Sequence, residues 1–204
     1  MENFDLMAEG YDTEKRVKRA VRIADEIRTF IVDGHKKSAI EYGCGTGLVG
    51  LQLRDVFRQL TLIDSSSEMI KQVKTKLGKI DCPNIEVLCC DLMVNMPVNL
   101  KADYIFSSLV MHHIINTREF LTRLHSLLNN GGHIILVDLD KEDGSFHAKY
   151  PEFSGHNGYE HMDIISLAKD AGFSKINIKT FYHDTKIFNG KEKPYSLFAL
   201  AAGK

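Results

Sequence analysis

Glu41-Tyr42-Gly43-Cys44-Gly45-Thr46-Gly47 sets a carboxylate two residues ahead of three alternating glycines, directly after the short stretch Ser38-Ala39-Ile40. That stretch reads as the end of a strand, and Leu48-Val49-Gly50-Leu51-Gln52-Leu53 begins an apolar helical pattern, so a strand, a tight turn and a helix are expected in order. Glycines lack a Cβ, so the backbone can take positive φ and admit a ligand to contact distance. The free N–H groups of a helix start would point at that ligand. Gly45-Thr46-Gly47-Leu48-Val49-Gly50 also fits the dinucleotide fingerprint G-x-G-x-x-G. Glu41 favours a different ligand, because a carboxylate here repels a pyrophosphate but accepts hydrogen bonds from an ammonium group. Three readings stay open at the loop: a phosphate-free adenosine compound bearing an ammonium, a dinucleotide, or a glycine turn that binds nothing.

Further acids recur at strand ends. Leu60-Thr61-Leu62-Ile63 reads as a strand closed by Asp64, and Ser65-Ser66-Ser67-Glu68-Met69-Ile70 opens a helix with Ser65 and Glu68 at capping-box spacing. Ile85 to Cys90 forms a third strand ending at Asp91-Leu92; alone, Asp91 is an ordinary turn aspartate. Ala102 to Ile114 gives a fourth strand running into Ser108 and Met111-His112-His113. From the glycine loop onward these residues resemble the class I S-adenosylmethionine-dependent methyltransferases, in particular the small single-domain kind that includes ubiquinone/menaquinone-type and small-molecule enzymes. The resemblance covers nearly the whole chain. It implies that Asp64 binds the ribose hydroxyls, Met69 packs on the adenine, and Asp91, with Leu92 beside it, accepts from the adenine amino group. It further implies that the loop from Ser108 to His113 passes under the methionine part of the cofactor. Gly43, Cys44, Gly45, Gly47 and Ser65 complete the implied cofactor set with Glu41. Phe4 to Asp12 resembles the family's cofactor-covering N-terminal stretch, which makes Tyr11 a cofactor contact and Arg16 the partner of its carboxylate.

The implied activity is methyl transfer to a small-molecule acceptor whose identity the sequence does not carry. A sensor or partner subunit that binds the cofactor without turnover, and an NAD-dependent oxidoreductase, are the alternatives. An activated sulfonium methyl needs an aligned nucleophile more than a catalytic side chain, and a base only where the acceptor is a weakly acidic group. Histidine is the natural base, and the chain has nine. His112 and His113 sit where the methionine end of the cofactor belongs, either lining the active site or shaping the loop. Asp140 to Glu160 exceeds the usual connection length and carries His147, His156, Phe146, Tyr150, Phe153 and Tyr159, with His161 just after it, so it reads as a lid over the acceptor with His156 as a third candidate. Acids surround these histidines, yet no pair has the i,i+4 spacing of H-E-x-x-H, and no metal site is expected.

The elements that must position these groups alternate. Val17, Ala20, Val21, Ala24, Ile27 and Ile31 recur at helical spacing up to Asp33-Gly34, Ile114 to Leu128 forms another helix, and Asn129 to Gly132 turns into the apolar run His133 to Val137. After a helix from Met162 to Ala171, the runs Lys175–Phe188 and Tyr195–Ala202 are joined by a turn at Asn189–Pro194 with no helix between them, so they must pair antiparallel. Dinucleotide dehydrogenases usually end their sheets in a parallel strand, so this hairpin speaks against NAD. The pattern is α/β and doubly wound, and the resemblance implies a Rossmann-like seven-stranded sheet of order 3-2-1-4-5-7-6. One domain over 1–204 is expected, with a helical cover at 1–35 and the lid at 140–160. Lys plus Arg is 26 against 27 Asp plus Glu, a net charge of −1, which gives no electrostatic reason to expect nucleic acid. Four cysteines without C-x-x-C spacing, no secretory pattern at the acidic N-terminus and no membrane-length apolar run point to the cytoplasm.

Overall fold

The central strands are apolar on both faces, and this builds the molecule outward from them. In the computed structural model, which describes residues 4–95 and 97–204, β1 (Ser38–Tyr42), β2 (Gln59–Asp64), β3 (Ile85–Cys89), β4 (Ala102–Ser108), β5 (Leu128–Leu139), β6 (Ser174–Phe188) and β7 (Lys191–Gly203) form one sheet of order β3-β2-β1-β4-β5-β7-β6. Side chains alternate along each strand. Ile134 and Leu136 of β5 enter one core while Ile135, Val137 and Leu139 enter the other.

Helices cover both faces. Phe120, Leu121, Leu124 and Leu127 of α4 (Thr117–Leu127), with Ile164 and Ala168 of α5 (His161–Asp170), fill the first core. Ala20, Ile23, Ala24 and Ile27 of α2 (Glu14–Arg28), with Ile70 and Val73 of α3 (Ser67–Leu77), fill the second. A four-residue helix α1 (Phe4–Met7) precedes them.

The strands β1 to β5 run parallel, and β7 pairs antiparallel with both β5 and β6. The expected hairpin is present, but its turn is tighter than anticipated. Asn189 (φ 49°) and Gly190 (φ 73°) alone make it, with Phe188 opposite Lys191. Two positive φ values suit the right-handed strand twist, so Lys191–Pro194 belong to β7.

Four local expectations need correction. After the glycine loop no α-helix forms, only turns and a 3-10 helix at Gly50–Leu53. The cap of α3 is Ser66, whose Oγ accepts from Met69 N–H at 3.1 Å, so the cap lies one residue later than expected and the Ser65–Glu68 box does not form. The helix expected to begin at Ile114 starts only at Thr117, behind the Asn116 cap. Asn129 to Gly132 is drawn into the start of β5, where the register with β4 shifts.

Candidate functional site

In a doubly wound sheet, ligands bind at the carboxyl ends of the strands where the strand order reverses. Here that point lies between β1 and β4, and a cavity of about 430 Å³ opens beside it. Its wall contains Glu41 through Thr46 at the end of β1 and beyond it, Asp64 and Ser65 at the end of β2, Asp91 after β3, and Ser108 to Val110 at the end of β4. Phe4, Tyr11, Arg16 and Arg19 close it from the N-terminal side. Its volume falls within the range of small-molecule sites, roughly 300–1,000 Å³.

The glycine loop is shaped as the sequence required. Gly43, Gly45 and Gly47 have φ of 71°, 53° and 80°, a region that side chains disfavour. Gly43 and Cys44 donate their N–H groups to Ile63 O, tying the loop to β2. Gly45 N–H donates to Asp64 Oδ2 at 2.7 Å and Ser66 N–H to Oδ1 at 2.8 Å. Burial raises the Asp64 pKa, opposed by these two bonds.

Glu41 is the least satisfied group in the wall. It is 1% exposed, and its Oε2 has no hydrogen-bond partner among the described residues. Burial pushes its pKa up to about 8, with the Gly50 N–H lowering it and the Asp64 charge raising it further. A buried carboxylate oxygen without a donor costs free energy unless a ligand supplies one. An ammonium group does so.

Tyr42 OH donates to Asp91 Oδ1 at 3.1 Å, and burial first, then Asp91, raises the tyrosine's pKa. Arg16 Nη1 donates to Tyr11 O at 3.0 Å, with its guanidinium carbon 4.2 Å from the Tyr11 ring centre. Thr46 Oγ1 donates to Asp12 Oδ1 at 2.5 Å, and Lys76 Nζ pairs with Asp12 Oδ2 at 2.5 Å. The segment before α2 is thereby fastened to the glycine loop and to α3.

Most of the anticipated residues meet at this cavity: Tyr11, Arg16, Glu41, Gly43, Cys44, Gly45, Asp64, Ser65, Met69, Asp91, Ser108 and His113 all line it. Gly47 does not; its positive φ serves the turn, and a Cβ there would meet the Leu51 side chain at 3.3 Å. Leu92 turns into the core at 1% exposure.

His112 is buried behind the cavity wall, with Nδ1 donating to Asp138 Oδ1 at 2.5 Å and its backbone N–H donating to Oδ2 at 3.2 Å. Burial alone would raise the Asp138 pKa, but the His112 charge and hydrogen bonds hold it below the usual carboxylate range. His156 lies outside the cavity. Its Nε2 is shared among Ile114 O, Ile115 O and Thr117 Oγ1 at 3.1–3.3 Å, and it staples the loop ahead of α4.

The segment 140–160 is not a flap over the cavity, for none of its residues lines it. It is bound down along its length. Tyr159 N–H donates to Leu139 O, Glu142 N–H to Asn157 O, and His156 N–H to His112 O at 2.7 Å. Two of its glycines, Gly155 and Gly158, pack so closely that a Cβ on either would sit 2.1 Å from a backbone oxygen. The segment covers His112 from behind, through His147 and Phe153.

Leu109 lies in the loop expected under the cofactor and lines the cavity, but nothing in the sequence signals its φ of 56°. Sequence reasoning missed the anchoring role of Asp12 and the tie between Asp138 and His112. The pairing of Asp138 with His112 spans 26 residues and needs the β4–β5 register to be seen.

A family model described as a methyltransferase domain matches residues 15–178. The chain belongs to this family. Over 178 residues it is 28% identical to an uncharacterized methyltransferase of Schizosaccharomyces pombe, covering 78% of this chain and 62% of that protein. It is 34% identical over 137 residues to malonyl-[acyl-carrier protein] O-methyltransferase 1 of Ilyobacter polytropus, covering 65% and 49%. The chain therefore spans less than two thirds of the length of these relatives. In structure it resembles phosphoethanolamine N-methyltransferase 2 of Haemonchus contortus in complex with S-adenosyl-L-methionine, with a TM-score of 0.72 and 16% identity over 90% of this chain and 52% of that one. The cofactor of the methyltransferase domain is S-adenosylmethionine, and the cavity suits it. Glu41 lines it and has a buried oxygen without a hydrogen-bond partner among the described residues, Asp64 and Asp91 offer acceptors, and no phosphate has to be placed beside Glu41.

Proposed function

We propose that the protein transfers a methyl group from S-adenosylmethionine to a small, partly apolar acceptor. The observation that carries this reading is the buried Glu41 carboxylate in the cavity wall, one oxygen of which has no hydrogen-bond partner among the described residues. When bound, the cofactor supplies an electrophilic methyl on its sulfonium. Glu41 orients the ammonium, Asp64 takes the ribose diol, Met69 and Asp91 take the adenine, and Tyr11 with Arg16 covers the methionine end. The rest of the cavity, around Phe4, His113, Ile114 and Ile115, is apolar, with Arg19 and Asn116 as polar anchors. This lining suits a small acceptor with an apolar body and one polar group.

His113 is the one histidine in the wall, and burial, with His112 beside it, lowers its pKa to about 3. It is a weak base at neutral pH. The reading that fits is catalysis by positioning, on an acceptor atom that already carries a free lone pair, such as a neutral amine or a thiolate. The net charge of −1 gives no reason to favour nucleic acid. No described helix is long and apolar enough to cross a membrane, and the four cysteines are all unpaired, in keeping with a reducing compartment such as the cytoplasm.

Thermal unfolding with added ligands tests the cofactor site. S-adenosylmethionine and S-adenosylhomocysteine should raise Tm, by linkage of binding to folding, and NAD should not. A radiolabelled methyl-transfer screen over small amines, thiols and phenols tests the acceptor. Cofactor binding without turnover across that screen would favour the sensor reading.

A further inference from the structure

Two segments far apart in sequence bring three imidazoles together. His112 and His113 lie on the 3-10 turn Met111–His113 after β4, and His147 lies on the turn Ser145–His147 within the segment 140–160. One ring nitrogen from each lies within 4.8 Å of the other two. Asp138 occupies Nδ1 of His112, so Nε2 is the nitrogen His112 has left to offer. His147 is 3% exposed, its ring is stacked on Phe153 at 3.8 Å between centres, and its Nδ1 has no hydrogen-bond partner among the described residues. Packing does not account for that nitrogen, since a phenyl ring would make the same stack without burying a polar atom.

We propose that His112, His113 and His147 bind a Zn²⁺ ion, with Asp138 as the carboxylate that orients His112. Three imidazole nitrogens with a fourth position free for water or a substrate atom form a donor set that zinc uses in catalytic sites, and a carboxylate behind one histidine fixes its tautomer and ring orientation. Zn–N bonds of about 2.0–2.1 Å in a tetrahedron place nitrogens about 3.4 Å apart, so the three rings must reorient around the ion from their present separation of up to 4.8 Å between nitrogens. Asp138 brings a buried negative charge to the site, while Lys186, whose ammonium lies 4.2 Å from the Phe146 ring centre, is the nearby opposing charge. His113 also lines the cofactor cavity, so an ion held here borders the space assigned to the acceptor. The spacing 112, 113, 147 matches no helical ligand pair, and the site exists only because the segment 140–160 folds back onto β5. Metal binding itself does not depend on the acceptor reading.

The test uses the untagged chain, stripped with a chelator, dialysed, and titrated with ZnCl₂ against a chromophoric competitor. One ion per chain, Kd below about 1 μM and a rise in Tm are expected. Co²⁺ in place of Zn²⁺ should give the visible absorption of a tetrahedral site. His147→Phe keeps the stack on Phe153 and removes the ligand. It should bind Zn²⁺ at least 100-fold more weakly while its metal-free Tm stays at or above that of the parent. Asp138→Asn should weaken binding roughly 10–100-fold. His113→Phe, at a partly exposed position, provides the same comparison should the His147 variant not fold. Unchanged Zn²⁺ affinity in the histidine variants, or no binding tighter than 10 μM in the parent, overturns the site. S-adenosylhomocysteine affinity, measured on the stripped chain, reports separately on the cofactor site.

Discussion

A Cβ on Gly50 would lie 2.2 Å from Oε2 of Glu41 and 2.5 Å from Cδ2 of Leu62. Gly50 is the third glycine of the apparent dinucleotide fingerprint, yet here it makes room for a buried carboxylate and its N–H group supports that carboxylate. Gly50→Ala should therefore act through Glu41. We expect overpacking to cost about 1–3 kcal/mol and S-adenosylhomocysteine affinity to fall at least tenfold, read by denaturant unfolding and calorimetry. An alanine variant with parental affinity would show that Glu41 does not hold the cofactor.

The raised pKa of Glu41 gives a pH dependence of definite sign. In the unfolded chain the carboxyl ionises near 4.5, whereas in the folded, cofactor-free chain it keeps its proton up to about pH 8. Its contribution to stability is thus complete below pH 4.5 and is lost as pH rises through 8. Cofactor binding reverses the preference, because an ammonium favours the carboxylate. Asp64 raises the pKa and the Gly50 N–H lowers it, and the Arg16 and Arg19 guanidiniums line the same cavity. Binding at pH 7 should release close to one proton (about 0.9), detected as a dependence of calorimetric enthalpy on buffer, and affinity should strengthen between pH 6 and 8. In Glu41→Gln both effects should vanish.

Asp64 has two tasks in the structure. Besides facing the ribose position, it accepts from Gly45 and Ser66 N–H groups, so it ties the glycine loop to the start of α3. Asp64→Ala should lower both cofactor affinity and stability, each by about 1.5–3 kcal/mol, the range for hydrogen bonds to a charged group. Asp64→Asn keeps one acceptor oxygen and should lose less stability. A fully stable alanine variant would show that the two backbone bonds are replaced by water.

What could be read in advance followed from local rules. The sheet order came through the resemblance, the antiparallel end from two strand patterns without a helix between them, and the acids at strand ends from their position after apolar runs. What could not be read depends on distant contacts. The stretch Leu48–Leu53 has helical periodicity, but Gly50 sits against Glu41 and Leu62 and the chain there makes only turns and a 3-10 helix. Segment 140–160 looked like a lid because it is long and aromatic. Its backbone bonds to Leu139 and His112, together with the close packing of Gly155 and Gly158, fasten it down instead. His112 and His147 likewise took their meaning from partners 26 and 35 residues away. Met1–Asn3 of the expected cover lie outside the described residues.

Asp12 joins the N-terminal cover to the site through Thr46 and Lys76. Both partners of the ion pair are about one third exposed, so solvent weakens it and its share in global stability should be small. Its influence should fall on how firmly the cover rests over the cofactor. Asp12→Asn should accelerate cofactor dissociation several-fold in stopped-flow measurements while Tm changes by less than about 3 °C. An unchanged dissociation rate would mean that the cover stays closed without this anchor.

His156 was expected to act on the acceptor, and its surroundings argue otherwise. The ring nitrogen Nε2 already contacts Ile114 O, Ile115 O and Thr117 Oγ1, and the backbone N–H of His156 donates to His112 O. Removing the ring leaves two carbonyls and a hydroxyl to find other partners just ahead of α4. His156→Ala should therefore cost stability, about 1–3 kcal/mol, with cofactor affinity within about threefold of the parent, or roughly 0.7 kcal/mol. Acceptor preference should not change. Denaturant unfolding and a competition assay with paired acceptors check the two halves. A variant that keeps its stability but switches preference would return His156 to the acceptor site and reopen the segment 140–160 as a substrate-contacting lid.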